Sequence, residues 1–241
     1  MNELSIIIPC TQTTDVVPAF LDELSEFLLT NPGDMDVIVV ASDPSDRLAA
    51  LVRYGEERYP WMQLRALERF GSARRFGALA RFGIAYSTSR YAAIVSPYGD
   101  DDLTALPKML KELRGGAQVA QATRFATPEH ATRLPWRFRM YQRVYRVLVR
   151  WVLGHVITDS TYGYKMFDRV FVVAIGLTQN GYAICPEITL KALLARGRVA
   201  HVPSVAKPAR ATSSFSLLRE GPGYAWLLVR GLAHRVGLPW F

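Results

Sequence analysis

The chain has 241 residues, of which 50% are hydrophobic and 21% charged, and its formal net charge is +8 with a pI near 9.7. That apolar fraction excludes disorder, the 17 glycines and 14 prolines exclude a collagen-like or low-complexity chain, and the length suits one large domain or one domain with an appendage, enough to bury a real core. Two cysteines, Cys10 and Cys185, cannot make a disulfide framework and stand in no Cys/His cluster of zinc-site spacing.

The N-terminus runs straight into a strand-like segment without the regions of a secretory signal, and no apolar run has the length of a membrane span. A cytoplasmic location is therefore expected. Leu4 to Pro9 is a short β-branched run stopped by proline and reads as a buried strand. Val16 to Leu29 carries Val17, Phe20, Leu21, Leu24, Phe27 and Leu28 at helical spacing, with Asp15 as N-cap. Met35 to Ala41 is a second strand, Arg47 to Glu57 a helix, Met62 to Leu67 a third strand and Gly71 to Ser87 another helix. Tyr91 to Ser96 is a fourth strand, Leu103 to Leu113 a helix and Ala117 to Thr123 a fifth strand. Strands alternating with helices predict an α/β fold. Its sheet is Rossmann-like and mostly parallel, with helices on both faces.

After Phe125 the pattern changes. A basic, aromatic helix is predicted from about Pro135 to Leu153, followed by the loop T-D-S-T-Y-G-Y-K, a mixed segment to Arg198 and the strand-like V-A-H-V-P. The boundary of the main domain is set at residue 218, with an amphipathic tail over 219–241. No G-x-G-x-x-G follows the first strand and no G-K-[ST] occurs, which argues against a dinucleotide or P-loop site.

In an open α/β sheet, ligands bind at the carboxyl ends of the strands. The loop after the fourth strand, S-P-Y-G-D-D-D, gathers Asp100, Asp101 and Asp102 there. Three adjacent carboxylates suit a hard divalent cation shared with substrate phosphates, and they equally suit the N-terminus of the helix that follows. From Arg133 to Arg150 there are six arginines and no acid. Arg139, Arg143, Arg146 and Arg150, spaced four, three and four apart, share one helix face. Such a face reads as resting on anionic lipid, facing phosphates or standing in solvent. The tail repeats the theme with Trp226, Leu227, Leu228, Leu232, Trp240 and Phe241 beside Arg230, His234 and Arg235, and reads as interfacial or as docked on the core. No nucleic-acid motif accompanies the basic helix, so nucleic acid is not an expected partner.

Taken in order, several segments resemble a family 2 glycosyltransferase of the dolichol-phosphate mannose synthase type. The resemblance covers roughly residues 4–218. It rests on S-I-I-I-P and then D-V-I-V-V, G-A-L-A-R-F-G at 77–83, A-T-R-F at 122–125 and T-D-S-T-Y-G-Y-K at 158–165. G-Y-A-I-C-P-E-I at 181–188, then V-P at 202–203 with Arg210 and S-S-F-S-L, complete it. It implies a GT-A fold and transfer of a sugar, with inversion, from a nucleotide-sugar donor to a polyprenyl phosphate by an enzyme peripheral to the membrane. It also implies donor contacts from Pro9, Thr11, Gln12, Asp43, Ser96, Tyr98 and Arg210, and acceptor-phosphate contacts from Arg124, Arg137, Arg139, Asp159, Thr161 and Lys165.

The chain departs from the family at informative places. Ala41-Ser42-Asp43-Pro44 stands where the family has Asp-Asp-Gly-Ser, and Ser96-Pro97-Tyr98 where it has the metal-binding Asp-x-Asp. A Mg²⁺ or Mn²⁺ ion is then expected on a displaced site made by Asp100 and Asp102, which would also be the catalytic carboxylates. The alternatives are donor binding that needs no metal, with basic side chains such as Arg210 compensating, and a catalytically degenerate homologue that serves as a binding or scaffold subunit. A membrane-protein partner or homo-oligomer is compatible with each. A phosphate acceptor needs no strong base, because a phosphate monoester is already an anionic nucleophile at neutral pH.

Overall fold

The computed structural model describes residues 2–11, 16–41, 53–55, 57–58, 63–68, 75–127, 134–205, 207 and 216–238. Gln12, Asp43 and Arg210 lie outside them, as do most of the expected 47–57 helix and the last residues of the tail.

The first half alternates strand and helix: β1 (Leu4–Cys10), α1 (Val16–Thr30), β2 (Met35–Ala41), β3 (Gln63–Glu68), α2 (Phe76–Tyr86), β4 (Tyr91–Ile94), α3 (Leu106–Arg114) and β5 (Val119–Thr123). Then follow α4 (Trp136–Leu153), β6 (Lys165–Asp168), α5 (Arg169–Ala174), α6 (Ile184–Leu194), β7 (Val199–Pro203) and α7 (Leu217–Arg235). The seven strands form one sheet in the order β3-β2-β1-β4-β6-β5-β7. β1 pairs in parallel with β2 and β4, β2 with β3, and β5 with β7, while β6 is antiparallel to both its neighbours. The expected mostly parallel mixed sheet is present. Its reversed strand, β6, is a four-residue segment with no alternating pattern, and it spans the end of the expected loop 158–165 and the start of the mixed segment after it.

β1 is buried along its whole length, and Ile6, Ile8 and Leu4 join one core layer while Ile7 joins the other. This is the two-sided burial that a continuous apolar strand predicts. The glycine spacing of α2 has a packing cause. A Cβ on Gly77 would stand 2.5 Å from the Gly181 carbonyl oxygen, and one on Gly83 would stand 2.5 Å from the Ile7 side chain. A third apolar cluster joins Tyr145 and Val149 of α4, Leu190 of α6, and Tyr224 and Leu227 of α7. The inner face of the tail helix thus packs on the rest of the chain. Among the described residues, no helix is long and apolar enough to cross a membrane.

Candidate functional site

Three pieces of chain meet above the carboxyl ends of β1 and β4: the loop after β4, the loop 158–164, and the inner side of α4. They enclose a cavity of about 250 Å³. Its walls are aromatic, with Phe76, Phe138 and six of the eleven tyrosines: Tyr98, Tyr141, Tyr162, Tyr164, Tyr182 and Tyr224.

The loop after β4 is folded by its own acids. Gly99 takes a positive φ of 70°, which turns the chain back on itself. Asp101, 2% exposed, then accepts the Ser96 N–H through Oδ2 at 2.7 Å. Asp102 turns the other way and caps the following helical turn, accepting from Thr104 N–H at 3.1 Å and from its hydroxyl at 2.8 Å. The carboxylates that line the cavity are therefore Asp100 and Asp101, not the expected Asp100 and Asp102. One oxygen of each, Oδ1, is buried without a hydrogen-bond partner. Burial, reinforced by the neighbouring Asp100 carboxylate, pushes the Asp101 carboxyl up to about 7. The Tyr162 hydroxyl, the Ser96 N–H and Arg124 act in the opposite direction, and the tyrosine does so without completing a regular hydrogen bond.

The far side of the cavity is built on Arg124 and Asp159. Asp159 is wholly buried and takes a bidentate pair from Arg124, with Nε to Oδ2 at 2.7 Å and Nη2 to Oδ1 at 2.9 Å. The Arg124 backbone N–H donates to the same carboxylate. Its guanidinium lies over the rings of Tyr162 at 4.2 Å and Phe138 at 4.9 Å. Thr161 accepts a short hydrogen bond from Gln142 Nε2, which leaves Gln142 Oε1 without a partner at the cavity wall.

Of the other expected site residues, Ser96 and Tyr98 line the cavity, and the Tyr98 hydroxyl meets Thr11 Oγ1 at 3.1 Å, tying the end of β1 to the loop. Pro9 lies within β1 in register with Val40. Arg137 is exposed and stacks on Trp136, and Arg139 is half-buried with Nε lacking a partner. Lys165 is a correction: it points into the sheet's packing layer, fully buried, and donates to Gln121 Oε1 at 2.8 Å and Thr189 Oγ1 at 3.0 Å. No acceptor phosphate reaches that position. The arginine stripe is also not the outermost face of α4. Arg146 stacks on Phe125 and donates to the Gln142 carbonyl, and Arg139 is half-buried, whereas Arg143 and Arg150 are exposed, so the stripe runs along one flank of the helix between its packed and outer sides.

Among the described residues, no group of three or more His, Cys, Asp or Glu side chains forms a metal cluster. Asp100 and Asp101 are still a sufficient donor set. Mg²⁺ or Mn²⁺ binds through one or two carboxylates and draws its other ligands from water and substrate phosphates, and each aspartate has an orphaned oxygen to give. Asp101, Gln142 and the tyrosines other than Tyr98 are not singled out by the sequence motifs. Asp101 sits between the two expected aspartates, and the aromatic wall is gathered from distant segments with no shared motif.

No protein-family model matches the chain, and no curated protein matches it in sequence. Solved structures do match in fold. Mannosyl-3-phosphoglycerate synthase from Rubrobacter xylanophilus is 17% identical with a TM-score of 0.67, over 98% of this chain and 74% of that one. A mannosyltransferase from Pyrobaculum calidifontis, solved with GDP-Man and Mn²⁺, is 15% identical with a TM-score of 0.59, over 99% of this chain and 71% of that one. The 1–349 fragment of S. aureus TarS is 13% identical with a TM-score of 0.59, over 97% of this chain and 65% of that one. The same fragment has also been solved with UDP-GlcNAc. The shared feature is the GT-A fold, a Rossmann-like sheet flanked by helices.

Proposed function

We propose that this chain is a glycosyltransferase that moves a sugar from a nucleotide-sugar donor to a lipid phosphate, in the cytoplasm at a membrane surface. The observation that carries the reading is the aromatic cavity at the carboxyl ends of β1 and β4, with two carboxylates on its wall that each have an oxygen lacking a hydrogen-bond partner. Aromatic walls with a few convergent polar groups suit a sugar ring, and structures of this fold have been solved with GDP-Man and with UDP-GlcNAc.

In this reading Asp100 and Asp101 hold a divalent ion, which when bound neutralises the leaving diphosphate. Tyr98 and Thr11, joined at 3.1 Å, close the donor side. The acceptor phosphate is its own nucleophile, so the protein's task is to orient it. Arg139, with an unpartnered Nε, and Arg137 supply positive charge for that. Arg124 is committed to Asp159 and acts by holding the loop 158–164 against α4.

One observation favours a second reading, a binding or scaffold subunit without catalysis. Tyr98 stands where the resembled family has a metal-binding aspartate, and it is engaged with Thr11. Calorimetry with GDP-mannose and with UDP-GlcNAc, each with and without Mn²⁺, paired with transfer to a polyprenyl phosphate, separates the two. Donor binding with transfer supports the enzyme. Donor binding without transfer to any acceptor supports the scaffold. Absence of binding overturns the donor assignment.

A further inference from the structure

The outer face of α4 is not built like a solvated helix face. Trp136, Met140, Val144, Val147 and Trp151 are each more than half exposed, from 55% for Met140 to 72% for Trp151. At 3.6 residues per turn they fall on one strip, with Arg143 and Arg150 along one side and Arg137 along the other. The helix has five arginines and no acid. α7 runs beside it. Arg235 Nη1 donates to the Trp151 and Val152 carbonyls at 3.2 and 3.0 Å, and the Tyr145 and Tyr224 rings meet edge-on at 5.6 Å. α7 likewise leaves Trp226, Val229 and Leu232 exposed, with Val236 exposed just past its end, and its single acid, Glu220, is turned inward to accept the Tyr182 N–H.

We infer that the outer faces of α4 and α7 form a docking platform for an anionic lipid bilayer, with the two helices lying in the plane of the headgroups. Contiguous exposed apolar surface marks an interaction site, and the charge pattern selects its occupant. A second copy seated on this face would bring arginine-flanked strips together, and neither helix has an exposed acid to pair with them. A bilayer supplies acyl chains for the strip, phosphates for its arginine margins and an interface for Trp136 and Trp151 near its two ends. The opposite side of α4 contributes Phe138, Tyr141 and Gln142 to the cavity. Docking therefore sets the cavity about 10 Å, one helix diameter, from the lipid surface. The inference names the membrane-contacting surface of the lipid-acceptor reading, yet it stands without the transfer chemistry.

The test is flotation with vesicles of phosphatidylcholine alone and of phosphatidylcholine with phosphatidylglycerol in equal parts. The wild-type chain floats with the anionic vesicles at low salt, is released by salt and floats several-fold less with the neutral ones. The double variant Val147→Glu with Trp151→Glu stays at the bottom of the gradient with an unchanged circular dichroism spectrum. Arg143→Gln with Arg150→Gln lowers anionic binding about fivefold per arginine removed, and keeps the test available should the first variant misfold. Flotation unaffected by both variants overturns the platform. So does a wild-type dimer in sedimentation that the Val147→Glu, Trp151→Glu variant turns into a monomer, which would assign the face to a second copy. Calorimetry with GDP-mannose and Mn²⁺ on the same samples keeps the readings apart: flotation without donor binding sinks the transferase and leaves the platform.

Discussion

The two ends of the cavity handle charge in opposite ways. At one end Arg124 and Asp159 cancel each other through two parallel hydrogen bonds, and two aromatic rings cover the guanidinium. At the other, Asp100 and Asp101 are neighbouring like charges, and among the described residues neither forms an ion pair. The first end is complete as it stands. The second bears an electrostatic cost that a cation bound there would relieve. Burial has therefore fixed one charged cluster as scaffold and left the other as a place where a cation would gain binding energy in the proposed reading.

The largest expected effect comes from breaking the completed end. Arg124→Ala leaves Asp159 buried and unpaired, which costs about 3–5 kcal/mol and lowers the urea midpoint accordingly. Arg124→Lys restores the charge but not the bidentate geometry, and recovers only part of the loss. A variant that keeps its midpoint and loses only lipid-phosphate use would move Arg124 from scaffold to acceptor contact.

Lys165 sharpens the same contrast, because it is a buried cation answered only by neutral oxygens. Burial lowers its pKa from 10.5 to about 8. Below about pH 8 both folded and unfolded chains are protonated there, and the folding cost is present in full. Between about 8 and 10.5 the native state has released a proton that the unfolded chain retains, so stability rises with pH. The rise amounts to about 3 kcal/mol at most. Urea titrations of the wild type and Lys165→Met across that window should differ by this rise, and parallel curves would refute it.

Much of the first half of the fold was legible because β1, β2 and β4 are nearly continuous apolar runs between helical patterns, so burial on both faces follows from the residues themselves. β6 was not. Its four residues are strand only because β4 and β5 stand on either side, and Lys165 within it looks like a surface cation until Gln121 and Thr189 are placed opposite. The arginine spacing on α4 correctly implied a shared face, but which face turns outward depends on what packs behind, and Tyr145, Val149 and Val152 decide that. The aspartate triplet was visible as a unit. Its division of labour was not, because that depends on the Gly99 turn and on which side chain finds the Ser96 and Thr104 N–H groups.

At the unfinished end, Asp101→Asn removes a buried negative charge from beside Asp100. In the absence of ligand it should stabilise the chain, by on the order of 1–2 kcal/mol at mildly alkaline pH, and it should weaken Mn²⁺-dependent donor binding. A gain in thermal midpoint with loss of donor heat is the expected pairing. Loss of both would mean that the Ser96 N–H contact, and not the charge, is what the carboxylate contributes.

The smallest effect is expected one residue further on, and it separates cap from ligand. Asp102 spends its Oδ1 on the Thr104 N–H and hydroxyl, while its backbone carbonyl accepts from the Tyr164 hydroxyl at 3.1 Å. Asp102→Ala removes the first two bonds and spares the third, so the loss should be that of an N-cap, about 1 kcal/mol. Asp102→Ser or Asp102→Asn, which cap nearly as well, should restore most of it. Donor binding and its Mn²⁺ dependence should match the wild type in all three, whereas Asp100→Asn should weaken both. If Asp102→Ala instead abolished Mn²⁺-dependent binding while leaving the thermal midpoint in place, the ion would sit on Asp100 and Asp102, and the Asp100–Asp101 pair would be no more than a strained turn.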